Sequence, residues 1–292
     1  MKSRIISLAG LVLVACFTMA IVYYHSLSLA RESEILQQKA SEITQDVLSI
    51  EIAALNAEVN EKQFLTHKDE THFNLARSQL DDALLKIKSL RQLLSTPEQL
   101  ILVDKTQQLI ENYKAQFIDV HKSQIRLGVN ENSGLLGELR KAVHEIEEIL
   151  NTQNNYQLIA SMLMMRRHEK DFIARTGDKY VQRMKDERRH FESLIQAENI
   201  NSDLRSKKLQ LMETYHNAFN ALVDGQKQLF QDLASLDVTA DQMNEYLMQL
   251  VEVEKKLSME NMTYQRESSE RIANTFYWFL LVISSIILML LF

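Results

Sequence analysis

The chain has 292 residues, of which 46% are hydrophobic and 25% are charged, and its formal net charge is −6 at pH 7. An acidic chain without a basic patch is a poor partner for nucleic acid. One proline and six glycines are far below ordinary usage, which indicates long helices and leaves too little glycine for a phosphate-binding loop.

The N-terminal end carries an apolar run, residues 5–24, that contains no charged side chain. A helix rises about 1.5 Å per residue, so this run spans roughly 30 Å, the thickness of a bilayer's hydrocarbon core. Lys2 and Arg4 precede it, and the positive-inside rule then places residues 1–4 in the cytoplasm and the following chain outside. We therefore predict transmembrane helix 1 at 5–24.

The same run admits a second interpretation as a lipoprotein signal, because residues 13–16 fit a lipobox that ends at Cys16, the single cysteine. A mature lipoprotein normally becomes polar after that cysteine, whereas this chain stays apolar through Val22. The length of the run favours an uncleaved anchor. A cleaved signal peptide fits less well, because its apolar core would be shorter and no small-residue cleavage site is clear.

Residues 25–275 have the hydrophobic periodicity of helices. Residues from Leu36 to Phe64 form an apolar seam with alternating spacings of three and four, and a second seam runs from Met212 to Leu233. Capping residues, Pro97 and the glycines mark starts and breaks. The predicted helices are 25–66, 68–94, 97–127, 133–176, 178–197, 202–234 and 239–276.

Two of these helices, which begin near residues 25 and 133, would be about 60 Å long by the helix rise, too long for one compact bundle layer. We therefore predict an all-α fold whose long antiparallel helices form two stacked four-helix bundles, flanked by two transmembrane helices. With both ends in one membrane, one junction among the seven helices must be a kink rather than a reversal. The sequence does not show which.

A second apolar run, residues 276–292, ends the chain, with Tyr277 and Trp278 at its outer edge as in an aromatic belt. Seventeen residues are marginal for a membrane span, and no Lys or Arg follows them. We expect a transmembrane helix 2 that is cut short, with a cytoplasmic signalling module missing from this chain.

An internal repeat relates two parts of the chain. The stretch Glu61–Leu65 recurs 108 residues later as Glu169–Ile173, and the pair Tyr113 and Phe117 is echoed by Tyr215 and Phe219. The repeat predicts two related halves, one for each bundle.

Each half places a glutamate, Glu61 or Glu169, where the seam requires an apolar residue. A carboxylate in a bundle core needs a partner, because an unpaired buried charge is costly. The structural interpretation is a polar core group that receives hydrogen bonds from the nearby helix–helix turn, and it is favoured over contact with a ligand.

Basic residues cluster around Glu169. Arginine can hold a carboxylate with two parallel hydrogen bonds, which makes this cluster a candidate site for a small carboxylate ligand. A solvated array of salt bridges with the neighbouring acidic residues is the alternative. The candidate ligand-binding residues of the cluster are Arg166, Arg167, Lys170, Arg175 and Lys179.

Three stretches of this region resemble a known family. Arg166–Phe172, followed by Asp178–Val181, resembles the signature of the helical bimodular sensor domain, and Gly134–His144 resembles a second stretch of that family. The resemblance covers residues 25–275. It implies two stacked helical bundles in a receptor, most often a methyl-accepting chemotaxis protein and in some cases a histidine kinase, with small organic acids as ligands. It adds Arg140 and His144 to the candidate ligand-binding residues.

The leading functional hypothesis is the sensory portion of a transmembrane chemoreceptor with a periplasmic sensor domain, which acts as a homodimer and signals through transmembrane helix 2. The alternatives are the sensor module of a histidine kinase, a module that reads a periplasmic binding protein, and a helical membrane protein or lipoprotein without signalling. We expect no enzymatic activity, cofactor or metal. Glu187–His190 is a single E-x-x-H where a di-iron bundle needs two, and His168-Glu169 lacks the second histidine of a zinc protease motif.

Overall fold

The computed structural model describes residues 2–152 and 155–291, and every regular element in these ranges is an α-helix. The prediction of an all-helical chain is therefore confirmed. In chain order the helices are α1 (Lys2–His67), α2 (Glu70–Leu93), α3 (Pro97–Leu127), α4 (Gly134–Asn151), α5 (Tyr156–Arg175), α6 (Asp178–Ala197) and α7 (Ser202–Leu291).

Helices α1 and α7 each contain a segment that is long and apolar enough to cross a membrane. In both cases the apolar segment and the helix next to it in the sequence are one unbroken helix. Residues 239–276 and the second apolar run belong to one helix, α7, and the first apolar run and residues 25–66 belong to one helix, α1.

The predicted helix 133–176 is wrong, because the chain leaves helical geometry after Asn151 and α5 begins at Tyr156. Asn155 caps the new helix: its side chain accepts hydrogen bonds from the backbone N–H groups of Gln157 and Leu158, at 3.1 and 3.3 Å. Asparagine favours such caps because its side chain offers the backbone an alternative to the helical ladder.

The predicted break at residues 235–239 is also wrong, because α7 continues through it. The hydroxyl of Thr239 donates to the carbonyl of Ser235 one turn earlier, at 3.1 Å, and the Ser235 hydroxyl accepts from the side chain of Gln116 at 3.0 Å. Serine and threonine satisfied in this way need not end a helix. No glycine or proline lies there to interrupt it.

The chain folds into two compact units. Unit 1 comprises Met1–Asn56, Gln79–Ile110 and Asp241–Phe292, and unit 2 comprises Ala57–Ser78 and Glu111–Ala240. Unit 1 thus contains segments of four helices, and unit 2 contains segments of all seven. Both copies of the repeated glutamate motif lie in unit 2. The prediction that each half of the repeat builds a bundle of its own is therefore wrong.

Apolar packing holds both cores. In unit 1, the seam predicted on α1 is buried from Ile43 to Ala54. In unit 2, the seam predicted on α7 is buried from Met212 to Leu222. Burial of apolar area is the main favourable term in folding, and residues 25–275 contain no cysteine that might replace it with a disulfide.

The loop 128–133 in unit 2 joins α3 to α4 without reversing the chain. Gly225 on α7 packs against Leu127 at the end of α3 and Leu135 at the start of α4. Earlier α3 residues contact α7 beyond Gly225, as in the 3.0 Å bond from Gln116 to Ser235. Residues 138–145 of α4 instead share a groove with residues 214–221 of α7, before Gly225. Both helices therefore run antiparallel to α7, and this loop is the predicted kink.

Two glycines give that loop its shape. Gly128 and Gly134 have φ angles of 116° and 56°, which residues with a Cβ rarely adopt. A Cβ on Gly128 would lie 2.1 Å from the carbonyl oxygen of Ser133. The close approach of the two ends of the loop lets α4 continue in the direction of α3.

Candidate functional site

The core of unit 2 contains two buried glutamate–tyrosine pairs. Glu61 is 4% exposed and Glu169 is 1% exposed. The hydroxyl of Tyr113 on α3 donates a hydrogen bond to Glu61 on α1, and the hydroxyl of Tyr215 on α7 donates to Glu169 on α5 at 2.8 Å. The sequence pointed to the helix–helix turn as the partner of each carboxylate and missed these tyrosines. Their matching positions in the repeat were the available signal.

The aromatic rings next to each pair are arranged alike. Phe64 and Phe117 meet edge to face with ring centroids 5.9 Å apart, and Phe172 and Phe219 do the same at 5.5 Å. Each phenylalanine lies one helical turn beyond the glutamate or tyrosine of its helix, so a polar layer and an aromatic layer follow one another. Such edge-to-face contacts contribute about 0.5–1.5 kcal/mol beyond their buried area.

The repeat extends to the backbone of the turn that follows. Lys68 and Thr176, also 108 residues apart, are the non-glycine residues with positive φ among those described, at 56° and 52°. The backbone N–H of Lys68 donates to the carbonyl of Phe64, and that of Thr176 donates to Phe172. The two glutamates therefore occupy equivalent places in two equivalent helix–turn–helix segments.

The charges around the two carboxylates differ. Nζ of Lys170 lies 3.0 Å from Glu169, and Nη1 of Arg166 lies 3.6 Å from it. Around Glu61, burial raises the pKa of the carboxyl above its ordinary value, and the hydrogen bond from Tyr113 partly opposes the rise. Asp237 and Glu58 raise the pKa further, and Lys62 lowers it. Glu169 thus sits among cations, while Glu61 is buried near other carboxylates.

A network of charges extends from Glu169 across α5 to α4. Nε of Arg166 lies 3.7 Å from Glu147, and Nδ1 of His144 lies 3.6 Å from the other oxygen of Glu147. Nε of Arg140 donates to Nε2 of His144 at 3.4 Å. Four predicted ligand-binding residues, Arg140, His144, Arg166 and Lys170, are therefore brought together in one network, which we call the α4–α5 network.

Three other candidates lie apart from this network. Arg175 is 3.9 Å from Asp171 and hydrogen-bonds the hydroxyl of Tyr180, which raises the pKa of Arg175 and lowers that of Tyr180. Nζ of Lys179 lies over the Tyr180 ring, 4.9 Å from its centroid. Arg167 is exposed. Nearness in sequence placed these residues in one cluster. Arg167 follows Arg166 directly, and on a helix residues one position apart point about 100° away from each other. Arg175 lies at the end of α5, more than two turns beyond Arg166, and Lys179 lies on α6.

The α4–α5 network already pairs cations with carboxylates. Arg166 lies between Glu147 and Glu169, and Arg140 forms an ion pair with Glu131. A ligand carboxylate would join this array by replacing one of the protein's own carboxylates. Among the described residues, no group of three or more His, Cys, Asp or Glu side chains could hold a metal ion.

Unit 2 also encloses a cavity of about 280 Å³ close to the first turn of the repeat. Its walls combine apolar side chains, including those of Phe172, Leu127 and Leu222, with polar atoms from the side chains of Lys68 and Gln124. This volume suits a ligand of a few heavy atoms with one polar end.

In unit 1, a polar cluster joins the α2–α3 turn to α7. The side-chain oxygen of Gln99 accepts from the backbone N–H of Thr96 at 3.1 Å and thereby caps α3, as a capping box does. The side-chain amide of Gln99 donates to Glu254 on α7 at 2.5 Å. Burial raises the pKa of Glu254, while Gln99 and Lys39 lower it. Gln99 and Glu254 line a cavity of about 310 Å³.

The two apolar segments lie side by side within unit 1. Residues between Thr18 and His25 of α1 line one groove together with residues between Tyr264 and Phe279 of α7. Later α1 residues, between Ser33 and Ile43, line a cavity with earlier α7 residues. The two helices are therefore antiparallel, and their apolar segments are at the same end of unit 1.

No protein-family model matches this chain, and a comparison with curated proteins finds no significant match. The resemblance to the helical bimodular sensor domain thus rests on the quoted stretches and stays a prediction.

Proposed function

We propose that this chain is the sensory portion of a bacterial transmembrane receptor. In this proposal, residues 5–24 and 276–292 anchor it in the inner membrane, and residues 25–275 form the sensor domain on the periplasmic side. The observation that carries the proposal is that both apolar segments are the ends of helices that continue unbroken into the folded units. A rearrangement of those units would reach the membrane without passing a flexible joint.

The arrangement of α1 and α7 supports this topology. Two antiparallel apolar segments side by side suit a pair of spans that enter and leave one bilayer, with both chain ends on the same side. Lys2 and Arg4 favour the cytoplasm for that side. The expectation of two stacked four-helix bundles is retained as part of the proposal, following the family resemblance.

The proposed ligand is a small organic acid, and the proposed site is the α4–α5 network. Arg166 carries the site, because its guanidinium lies within 4 Å of two carboxylates and has enough donors to hold a ligand carboxylate in place of one of them. Lys170 is more exposed and supplies a second positive charge. Binding there would change how α4 and α5 pack against α7, whose Tyr215 holds Glu169.

The proposed mechanism follows from α7. This helix carries Tyr215 in unit 2 and the second apolar segment in unit 1. Helix shifts of about 1–2 Å at interfaces are common in receptors and other switches. A ligand can bias such a shift only by its differential affinity for the two arrangements, typically about 1–3 kcal/mol. We propose a methyl-accepting chemotaxis module as the output, with a histidine kinase as the alternative.

The experiment is thermal unfolding of the full chain in detergent with a panel of mono-, di- and tricarboxylates. We expect one class to raise the Tm by mass action, and the rise to be lost in Arg166→Gln and reduced in Lys170→Gln. The matched control is Arg189→Gln, which removes an exposed arginine that pairs with Asp186 on α6. Absence of any shift across the panel in the unmodified chain would contradict the ligand class.

One observation favours a second candidate, a module that reads a periplasmic binding protein. Arg140 and Arg166 already have carboxylate partners within the chain, so the network can be complete without a small ligand. If carboxylates leave the Tm unchanged while a purified periplasmic binding protein, loaded with its ligand, forms a complex with the chain, this second function is the better description.

A further inference from the structure

The cavity of about 310 Å³ in unit 1 has charges of opposite sign in its walls. It is lined by residues of α1, the α2–α3 turn and α7, among them Lys39 of α1 and Glu254 of α7. Glu254 is only 7% exposed, and Lys39 is half-buried. A buried charge usually has a partner of opposite sign. The partners of these two side chains therefore indicate what the cavity can hold.

Both charged side chains have neutral partners. Nζ of Lys39 donates a hydrogen bond to the hydroxyl of Ser95 at 2.6 Å. The carboxylate of Glu254 accepts a hydrogen bond from the side-chain amide of Gln99 at 2.5 Å. Lys39 is close enough to lower the pKa of Glu254, but within the described part of the chain neither side chain forms an ion pair. One positive and one negative charge thus line the same cavity without neutralising each other.

The buried carboxylate of Glu254 favours a positively charged group in this cavity. Burial raises the pKa of its carboxyl, and the hydrogen bond from Gln99 and the charge of Lys39 only partly oppose that rise. The protein therefore stabilises the ionised carboxylate less well than water does, and a ligand cation next to it would supply the difference. A ligand with a positive charge alone would be repelled by Lys39, and one with a negative charge alone would be repelled by Glu254.

We propose that this cavity binds an α-amino acid in its zwitterionic form, with the ligand ammonium against Glu254 and the ligand carboxylate against Lys39. The two protein side chains can keep their present partners. A carboxylate has about four acceptor positions on its two oxygens, and an ammonium has three donors. Glu254 can therefore accept from the ligand as well as from Gln99, and Lys39 can donate to the ligand as well as to Ser95. Both new contacts are charge-assisted hydrogen bonds, which are roughly twice as strong as neutral ones.

The remaining walls favour an aliphatic side chain on the amino acid. Leu36, Ile43 and Leu257 line the cavity beside the charged pair, and its volume is at the lower end of the range for small-ligand sites. This site differs from the α4–α5 network in position and in chemistry, because the network belongs to unit 2 and its proposed ligand has no ammonium group. The amino-acid site does not depend on that proposal.

Isothermal titration calorimetry of the full chain in detergent tests the ligand class, with L-alanine, L-valine and L-leucine as probes. We expect at least one of them to bind. The corresponding amine lacks the carboxylate and the corresponding acid lacks the ammonium, as isobutylamine and 3-methylbutanoate do for L-valine. We expect each analogue to bind at least tenfold more weakly than its amino acid. Absence of binding by all three amino acids would overturn the proposal, as would an amine or an acid that binds as tightly as the amino acid.

Substitutions test the position of the site. We expect Glu254→Gln and Lys39→Gln each to weaken amino-acid binding at least tenfold, with helicity by circular dichroism unchanged. The matched controls are Glu252→Gln and Lys255→Gln, which remove exposed charges of α7 and should leave the affinity unchanged. Unchanged affinity in either cavity variant would overturn the zwitterion site.

One further variant separates this site from the proposed function. Arg166→Gln alters the α4–α5 network, so we expect it to bind the amino acid as the unmodified chain does. Loss of amino-acid binding in Arg166→Gln would place the ligand in the network and overturn the site in unit 1. Amino-acid binding that depends on Glu254 and Lys39, in a chain that responds to no organic acid, would support the site and contradict the organic-acid proposal alone.

Discussion

The hydroxyl of Tyr215 donates a 2.8 Å hydrogen bond to the buried carboxylate of Glu169, and both side chains are at most 1% exposed. Tyr215→Phe removes this donor and leaves the ring in place. A buried carboxylate that loses a hydrogen bond costs about 1–3 kcal/mol, so we expect a loss of that size in the free energy of unfolding. Guanidinium unfolding of the full chain in detergent measures it.

Tyr264→Phe is the control for that substitution, since the Tyr264 side chain is 67% exposed. An exposed hydroxyl should change the free energy of unfolding by no more than about 0.5 kcal/mol. Equal effects of the two substitutions would show that the bond to Glu169 does not stabilise the core.

The two equivalent glutamates should respond to neutralisation with opposite signs. Glu61→Gln keeps an acceptor for Tyr113 and removes a charge that burial, Asp237 and Glu58 all disfavour, so we expect a more stable protein at pH 7. Glu169→Gln deprives Arg166 and Lys170 of their charged partner, so we expect a loss of about 1–3 kcal/mol. Each variant serves as the control for the other, and a shared sign would contradict the charge asymmetry between the halves.

The stability of the protein should carry a pH dependence that comes from Glu61. Its pKa is raised in the folded state, so the folded protein binds this proton more tightly than the unfolded chain does. The contribution of Glu61 to stability is therefore largest below its unfolded pKa of about 4.3 and falls as pH rises through the folded pKa. The contribution of Glu254 to stability depends on pH in the same direction, because burial raises the pKa of its carboxyl as well.

Comparison of the wild type with Glu61→Gln between pH 4 and pH 8 isolates that contribution. We expect the gain in stability of the variant to be small at the acidic end and to grow until the folded pKa has been passed. The contribution of Glu198 to stability has the opposite dependence on pH, and it is present in both the wild type and the variant. Its pKa is lowered because hydrogen bonds from Lys208 and Asn155 outweigh the effect of burial. A difference between wild type and variant that does not change with pH would contradict the raised pKa of Glu61.

The helix bounds show where local signals suffice. The bounds of α3 and α6 agree with prediction to the residue. Pro97 has the fixed φ that suits a first helical residue, and Gly177 can adopt the φ of 122° that residues with a Cβ rarely reach. The end of α4 was not predicted. Asn155 acts as a helix cap only where the chain leaves the preceding helix, and the residue type alone does not show that it does so there. The false break at Ser235 has the converse cause: a side chain suited to capping is satisfied by Gln116 from another helix, which no local pattern reveals.

The candidate site shows the same difference between features that local sequence predicts and features that depend on contacts between distant helices. The period of the seam identified Glu61 and Glu169 as buried polar residues. Their tyrosine partners are 52 and 46 residues away in sequence, so the pairing depends on which helices become neighbours. The basic residues near Glu169 were grouped by sequence distance, whereas helical phase separates Arg167 from Arg166.

The N-terminal anchor makes a separate prediction about covalent structure. If residues 5–24 are an uncleaved transmembrane helix, the intact mass of the purified chain equals that of the full sequence from its N-terminal residues onward. The lipoprotein alternative requires cleavage before Cys16 and a diacylglycerol on its thiol. Intact mass spectrometry of the wild type, with Cys16→Ser as the control, distinguishes them. A lipid adduct that is present in the wild type and absent from the variant would show that the chain is a lipoprotein and would contradict the uncleaved anchor.

The last prediction concerns transmission through α7, which is helical without interruption from Ser202 to Leu291. An insertion of Gly-Gly-Gly between Ser268 and Ser269 interrupts this helix just before the second apolar segment, because glycine is about 1 kcal/mol less favourable than alanine at each helical position. The insertion lies far along the chain from Arg166, so ligand binding should be unchanged. In a receptor that joins this chain to a signalling module, we expect ligand-dependent output to be abolished.

Insertion of Ala-Ala-Ala at the same point is the matched control. It adds the same length and the same rotation of about 300° at roughly 100° per residue, but it preserves the helix. Ligand-dependent output that is retained with alanine and lost with glycine would show that α7 transmits the signal through its rigidity. This conclusion holds even if the rotation changes the level of output without ligand. Loss of output in both variants would indicate that rotational register decides. Full ligand-dependent output in the glycine variant would mean that the signal does not pass through α7, and the proposed mechanism would then be wrong.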